Sequence, residues 1–174
     1  MAPQDTKDVA RQLESARTEM IALVSSLTEE QARTRPAPDR WSVLECLEHV
    51  CYVERRFLRM VRESEAGRPA ECDATKEAAL MENVTDRSNR RTAPETVHPF
   101  GRCQSIFRGC AGFQRRSRRT LRFASEEGVN LLSRSARHRV FGPLNGVETL
   151  LLIGCHGRRI PRKCGKRRGV GNRA

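Results

Sequence analysis

The chain has 174 residues and no apolar run near the roughly 20 residues that a membrane span requires. Residues Met1 to Gln12 carry no apolar stretch able to act as a secretion signal. Glycine and proline number only 12 and 8, which excludes a collagenous or linker-dominated chain. Dinucleotide fingerprint, phosphate-binding loop and nucleophile elbow are all missing, so the common signatures of nucleotide and acyl-transfer chemistry do not apply. No Cys-x-x-Cys pair occurs either. The seven cysteines are an odd count in a chain without an export signal, and they read as reduced cytosolic thiols rather than a disulfide framework. Localisation in the cytoplasm, without membrane association, is the expectation.

What is present is charge. The formal net charge of +12 points toward polyanions, but it is unevenly distributed. Residues 157–174 hold eight of the 33 Lys and Arg and no acid, leaving 25 basic against 21 acidic residues upstream. A second stretch, Arg102 to Arg122, contains seven arginines without one acid and reads as the solvated face of a helix. Neither stretch alternates with aromatics as a base-stacking platform would. Nucleic acid is therefore disfavoured as a partner. The tail could bind it only weakly and without sequence preference.

Helical periodicity dominates the remainder. Val9, Leu13, Ala16, Met20, Val24 and Leu27 recur at steps of three and four, one apolar stripe. Thr28 and Gln31 form a capping box for a further short turn, which Arg35-Pro-Ala-Pro38 ends. A second box, Ser42 with Glu45, opens a helix expected to reach Ala66, with Val43, Leu47, Val50, Phe57 and Val61 inward and Trp41 stapling its start. Residues 67–101 are a long connection with one short helix over Lys76–Asp86. The next long helix is expected over Gln104–Glu127, with Ile106, Cys110, Phe113, Leu121 and Ala124 inward. A loop to Gly142-Pro143 leads to the last helix, capped by Asn145 and running through Val147, Leu150, Leu151 and Ile153 to His156. No strand pattern emerges. Four long amphipathic segments imply an all-α, antiparallel four-helix bundle over residues 1–159, followed by a disordered basic tail, 160–174.

Of the four histidines, His98 and His138 fall in expected loops and read as residues without a special role. His49 and His156 fall at the inner edges of helices. The sequence around His49, Arg35-Pro-Ala-Pro-Asp-Arg-Trp-Ser-Val-Leu-Glu-Cys-Leu-Glu-His49, resembles the second-helix signature of the DinB-like superfamily. Arg91-Thr-Ala-Pro-Glu95, Pro99-Phe-Gly101, Phe141-Gly-Pro-Leu-Asn145 and His156-Gly-Arg-Arg159 match it further, in order. The resemblance implies a bundle holding one divalent metal, zinc or nickel, with one histidine from the second helix and a His-x-x-x-His pair from the fourth. It further implies a transferase using a low-molecular-weight thiol, or a hydrolase acting on another small molecule; a homodimer is a separate candidate partner state.

The metal residues so implied are His49 and His156. No catalytic residue is assigned. The third position is filled by Ile160, which cannot ligate, and Pro161 is expected to kink or stop the helix there. Glu45 and Cys155 are the candidate replacements, and Cys46, three residues from His49, reads as a small buried hydrophobe. Against the same pattern, Arg159-Ile-Pro-Arg-Lys163 stands where the family has Arg-His-x-x-Gln. A change of reading frame between Arg159 and Ile160 accounts for both missing residues if the Arg159 and Arg162 codons end in C. Three functional classes follow in order: a DinB-like metal-dependent enzyme, a metal-free non-enzymatic bundle, and a weak polyanion binder acting through residues 157–174.

Overall fold

Val9, Leu13, Ala16, Met20 and Val24 are all buried along the first helix, α1 (Thr6–Ser25), as three-and-four spacing requires. The computed structural model describes residues 6–71, 73–86, 93–125 and 130–165. Thr28 and Gln31 cap the short α2 (Glu29–Arg33) reciprocally, and Ser42 and Glu45 do the same for α3 (Val43–Glu63). The end of α3 comes three residues before the expected Ala66, because Ser64 takes the C-cap and its hydroxyl donates to the Val61 carbonyl at 2.9 Å. Asp73 caps α4 (Ala74–Thr85), and Ser105 caps α5 (Ile106–Ala124). Asn145 and Glu148 form the box that opens α6 (Gly146–Gly165).

The protein is thus mostly helical. Helices α1 and α3 each pack against both α5 and α6, while α4 covers a further side of α6. Enclosure from so many directions explains why Val147, Leu150, Leu151, Leu152, Ile153 and Cys155 are all buried in succession. A Cβ at Gly146 would stand 2.5 Å from the Leu131 carbonyl oxygen, so the start of α6 needs glycine for close backbone approach. No described helix is long and apolar enough to cross a membrane.

Two expectations are corrected. The segment before α6 holds a two-stranded antiparallel hairpin, β1 (Ser135–His138) and β2 (Gly142–Asn145), in which Ala136 faces Leu144 and His138 faces Gly142. Four-residue strands, one of them carrying both glycine and proline, show no readable alternation. His138 is therefore a strand residue rather than a loop residue, and it has a structural role: its Nδ1 accepts from the amides of Val140 and Phe141 at 3.1 and 3.2 Å. Its ring stacks on Phe141. The second correction concerns Pro161, where helix α6 does not stop but continues to Gly165. Proline removes its own amide bond to Gly157, while the hydrogen bonds of the flanking residues can still carry the helix forward. Residues 166–174 of the expected disordered tail lie outside the described residues.

Two carboxylates are buried in ways periodicity cannot show. Glu77 on α4 is 1% exposed, and neither of its carboxylate oxygens has a hydrogen-bond partner among the described residues. Burial pushes its pKa up, and Glu148 and Asp73 push in the same direction. Glu54 on α3, 3% exposed, accepts a 2.6 Å bond from the Thr120 hydroxyl of α5. Burial lifts its pKa to about 6 against the lowering effects of Thr120, Arg116 and Ser117. The folded state therefore prefers the protonated acid. Glu54's contribution to stability is full below its ordinary pKa of 4.5 and is lost as pH rises through about 6, by up to about 2 kcal/mol. Urea denaturation between pH 4.5 and 7.5 should show that decline, and Glu54→Gln should remove it.

Candidate functional site

Helices α3 and α6 face one another, and their histidines meet at that contact. The Nε2 atoms of His49 and His156 are 3.0 Å apart although 107 positions separate the residues. His49 is buried and His156 half-buried. On its other side, His49 Nδ1 lies 2.6 Å from the Val97 carbonyl oxygen. A carbonyl only accepts, so Nδ1 carries a proton, which leaves Nε2 as the ring nitrogen that faces His156. The same carbonyl anchoring of the outer nitrogen is the usual support for a metal-binding histidine.

The surroundings hold that ring in place. Trp41, just before the Ser42 cap, packs against His49 with ring centroids 4.9 Å apart. His98 meets the same indole edge-on at 5.4 Å, and its Nε2 donates to the Ala93 carbonyl at 2.9 Å. His98 is thus not the idle loop residue expected from sequence, since it braces the wall beside His49. Glu48, the residue before His49, accepts from the backbone amides of Phe100, Arg102 and Cys103 at 2.8, 2.9 and 3.2 Å. One carboxylate thereby ties the segment carrying Val97 to α3. Neither Glu48 nor Val97 could be found from residue type, because a main-chain carbonyl and a loop anchor leave no spacing signature.

Of the other candidate donors, Glu45 is engaged elsewhere. Glu45 receives the Ser42 amide at 2.8 Å and pairs with Arg35. Its pKa is lowered chiefly by the Arg35 hydrogen bond. Cys46 and Cys155 are buried. Burial pushes the Cys51 thiol up to about 12 and Cys103 to about 11, so neither is a nucleophile at neutral pH.

Two imidazole nitrogens bound to one tetrahedral ion at ordinary lengths stand roughly 3.3 Å apart. The pair would need to open only slightly from its 3.0 Å contact to receive one. Among the described residues, however, no group of three His, Cys, Asp or Glu side chains is arranged to hold a metal. The described donors fit two coordination positions and no more.

A mostly helical protein with an imidazole pair between its third and last helices is the class this fold and site define. The family model for the DinB superfamily matches residues 12–158, and the chain belongs to that superfamily. No curated protein and no solved structure matches it.

Proposed function

We propose that this DinB-superfamily protein binds one divalent ion, zinc or nickel, through Nε2 of His49 and His156. The remaining positions would be filled by water or by a low-molecular-weight thiol. The reading rests on one observation: two Nε2 atoms from distant helices converge to 3.0 Å, one of them backed by a carbonyl on its outer nitrogen. A bound ion supplies the acidity that turns a coordinated thiol or water into a nucleophile near neutral pH. That chemistry belongs to a transferase or hydrolase. The protein's own part is positional: the Val97 carbonyl holds His49 by its Nδ1, and Trp41 packs against its ring.

A second reading follows from the direct contact between the rings. A hydrogen-bonded imidazole pair satisfies its own facing atoms, and such a pair can serve only to join α3 to α6 in a metal-free, non-enzymatic protein. Metal titration of the stripped full-length chain separates the two. The metal reading expects about one zinc or nickel per chain, lost in His49→Ala and in His156→Ala. Unchanged affinity in those variants, or no stoichiometric binding at all, would leave the structural reading standing.

A further inference from the structure

Helix α5 turns two unlike faces to its surroundings. Gly109, Phe113, Ser117, Thr120 and Phe123 are buried against the rest of the protein. Arg108, Arg115, Arg118, Arg119 and Arg122 are all exposed. These five span 14 helical steps, a rigid row about 21 Å long at 1.5 Å per residue. No acidic residue occurs between Arg102 and Ser125. No ion pair joins any of the five to another described residue, although pairs of other arginines lie on α1, α2 and α3.

We propose that the exposed arginine row of α5 is a docking surface for the phosphate backbone of a nucleic-acid duplex. Charge complementarity carries the assignment, because five guanidinium groups on one rigid rod meet a partner whose charges repeat along a line. Duplex DNA supplies one negative charge per roughly 1.7 Å of axis, so the row can face several phosphates at once. Guanidinium forks match phosphate oxygens two at a time. A second copy docking through the same row is excluded, since two such rows repel.

The type of polyanion follows from what accompanies the arginines. No aromatic residue lies between Arg108 and Arg122 on the exposed side, and Phe113 is buried. Beyond Phe107 at its N-terminal end, the row offers unpaired bases no exposed aromatic to stack on, which favours a duplex presenting only its backbone over a single strand. An anionic membrane is a poorer match. The apolar side of α5 is committed to the interior, leaving Phe107, 81% exposed, as its one large apolar group toward solvent. A helix that lies in a lipid interface needs a whole apolar face for that purpose. Binding of this kind is positional and carries no sequence readout.

The test uses the full chain, a labelled duplex of about 25 base pairs and arbitrary sequence, and fluorescence anisotropy over a series of salt concentrations. The expected result is binding that weakens steeply with salt and is indifferent to sequence. In Arg108→Gln/Arg115→Gln/Arg119→Gln/Arg122→Gln, affinity at low salt should fall at least about tenfold. The slope of log affinity against log salt should flatten by roughly 3 to 4, at about 0.9 for each phosphate that is no longer neutralised. Glutamine keeps helix propensity, and circular dichroism with a thermal melt verifies that the variant is folded. A companion variant, Lys163→Gln/Lys166→Gln/Arg167→Gln/Arg168→Gln, should retain most of the affinity. The proposal is overturned if the folded α5 variant binds duplex as the parent does, if only the companion variant loses binding, or if the parent binds phosphatidylserine vesicles and not duplex.

Discussion

Ile160→His should raise the zinc affinity of the full chain by on the order of 100-fold, since even an outer-shell partner of a metal ligand is worth roughly 10 to 100-fold. The reason is geometric. Helix α6 runs without a stop from Gly146 to Gly165, so position 160 lies one turn after His156 on the same helical face. An imidazole there would join Nε2 of His49 and His156, already 3.0 Å apart, and complete three protein ligands with one position open. A competition titration against a chromophoric chelator at neutral pH reads the change directly. Affinity equal to that of the parent would show that α6 does not deliver position 160 to the pair. The result also bears on the reading frame around Arg159, because restoring a histidine at 160 is what the shifted frame would do.

Glu48→Ala should cost about 3 kcal/mol of stability and should loosen His49 as well, since hydrogen bonds to a charged group contribute roughly 1.5–3 kcal/mol each and partial solvent access reduces the sum. The carboxylate holds three neighbouring backbone amides, those of Phe100, Arg102 and Cys103. The carbonyl that accepts from His49 Nδ1 belongs to Val97, three residues before Phe100. Urea denaturation measures the first effect. Nitrogen-15 shifts of the His49 ring measure the second, with the Nδ1-protonated tautomer losing its dominance in the variant. Retention of a single fixed tautomer in Glu48→Ala would show that Val97 is held without Glu48. Glu48→Gln, which keeps one acceptor oxygen on the same stem, should fall between the two.

The legible part of this protein is the part written in local pattern. The boxes Thr28–Gln31, Ser42–Glu45 and Asn145–Glu148 close within three residues of themselves, so their sequence spacing is nearly sufficient to place three helix starts. The inward stripes of α1 and α3 follow from period alone. On α5 the same reasoning found Phe113 and Ala124 but not Ser117 and Thr120, which are buried because Glu54 needs donors across the α3–α5 contact. A polar residue gives no sign of such a partner 66 positions away.

His49 and His156 could be singled out as residues from the sequence, through their helix edges and the family motifs around them. Their 3.0 Å contact was decided by tertiary structure, because it depends on how α3 and α6 cross and on Val97 arriving from a connection with no periodicity. The same holds for His98 and His138, whose loop-like neighbourhoods concealed a brace against Trp41 and a capped hairpin turn. The sequence alone determined helix, polarity and charge, since backbone propensity and apolar period act over a few residues. Packing alone decided which buried carboxylates lack partners and which imidazoles meet, since those depend on contacts between residues far apart in the chain.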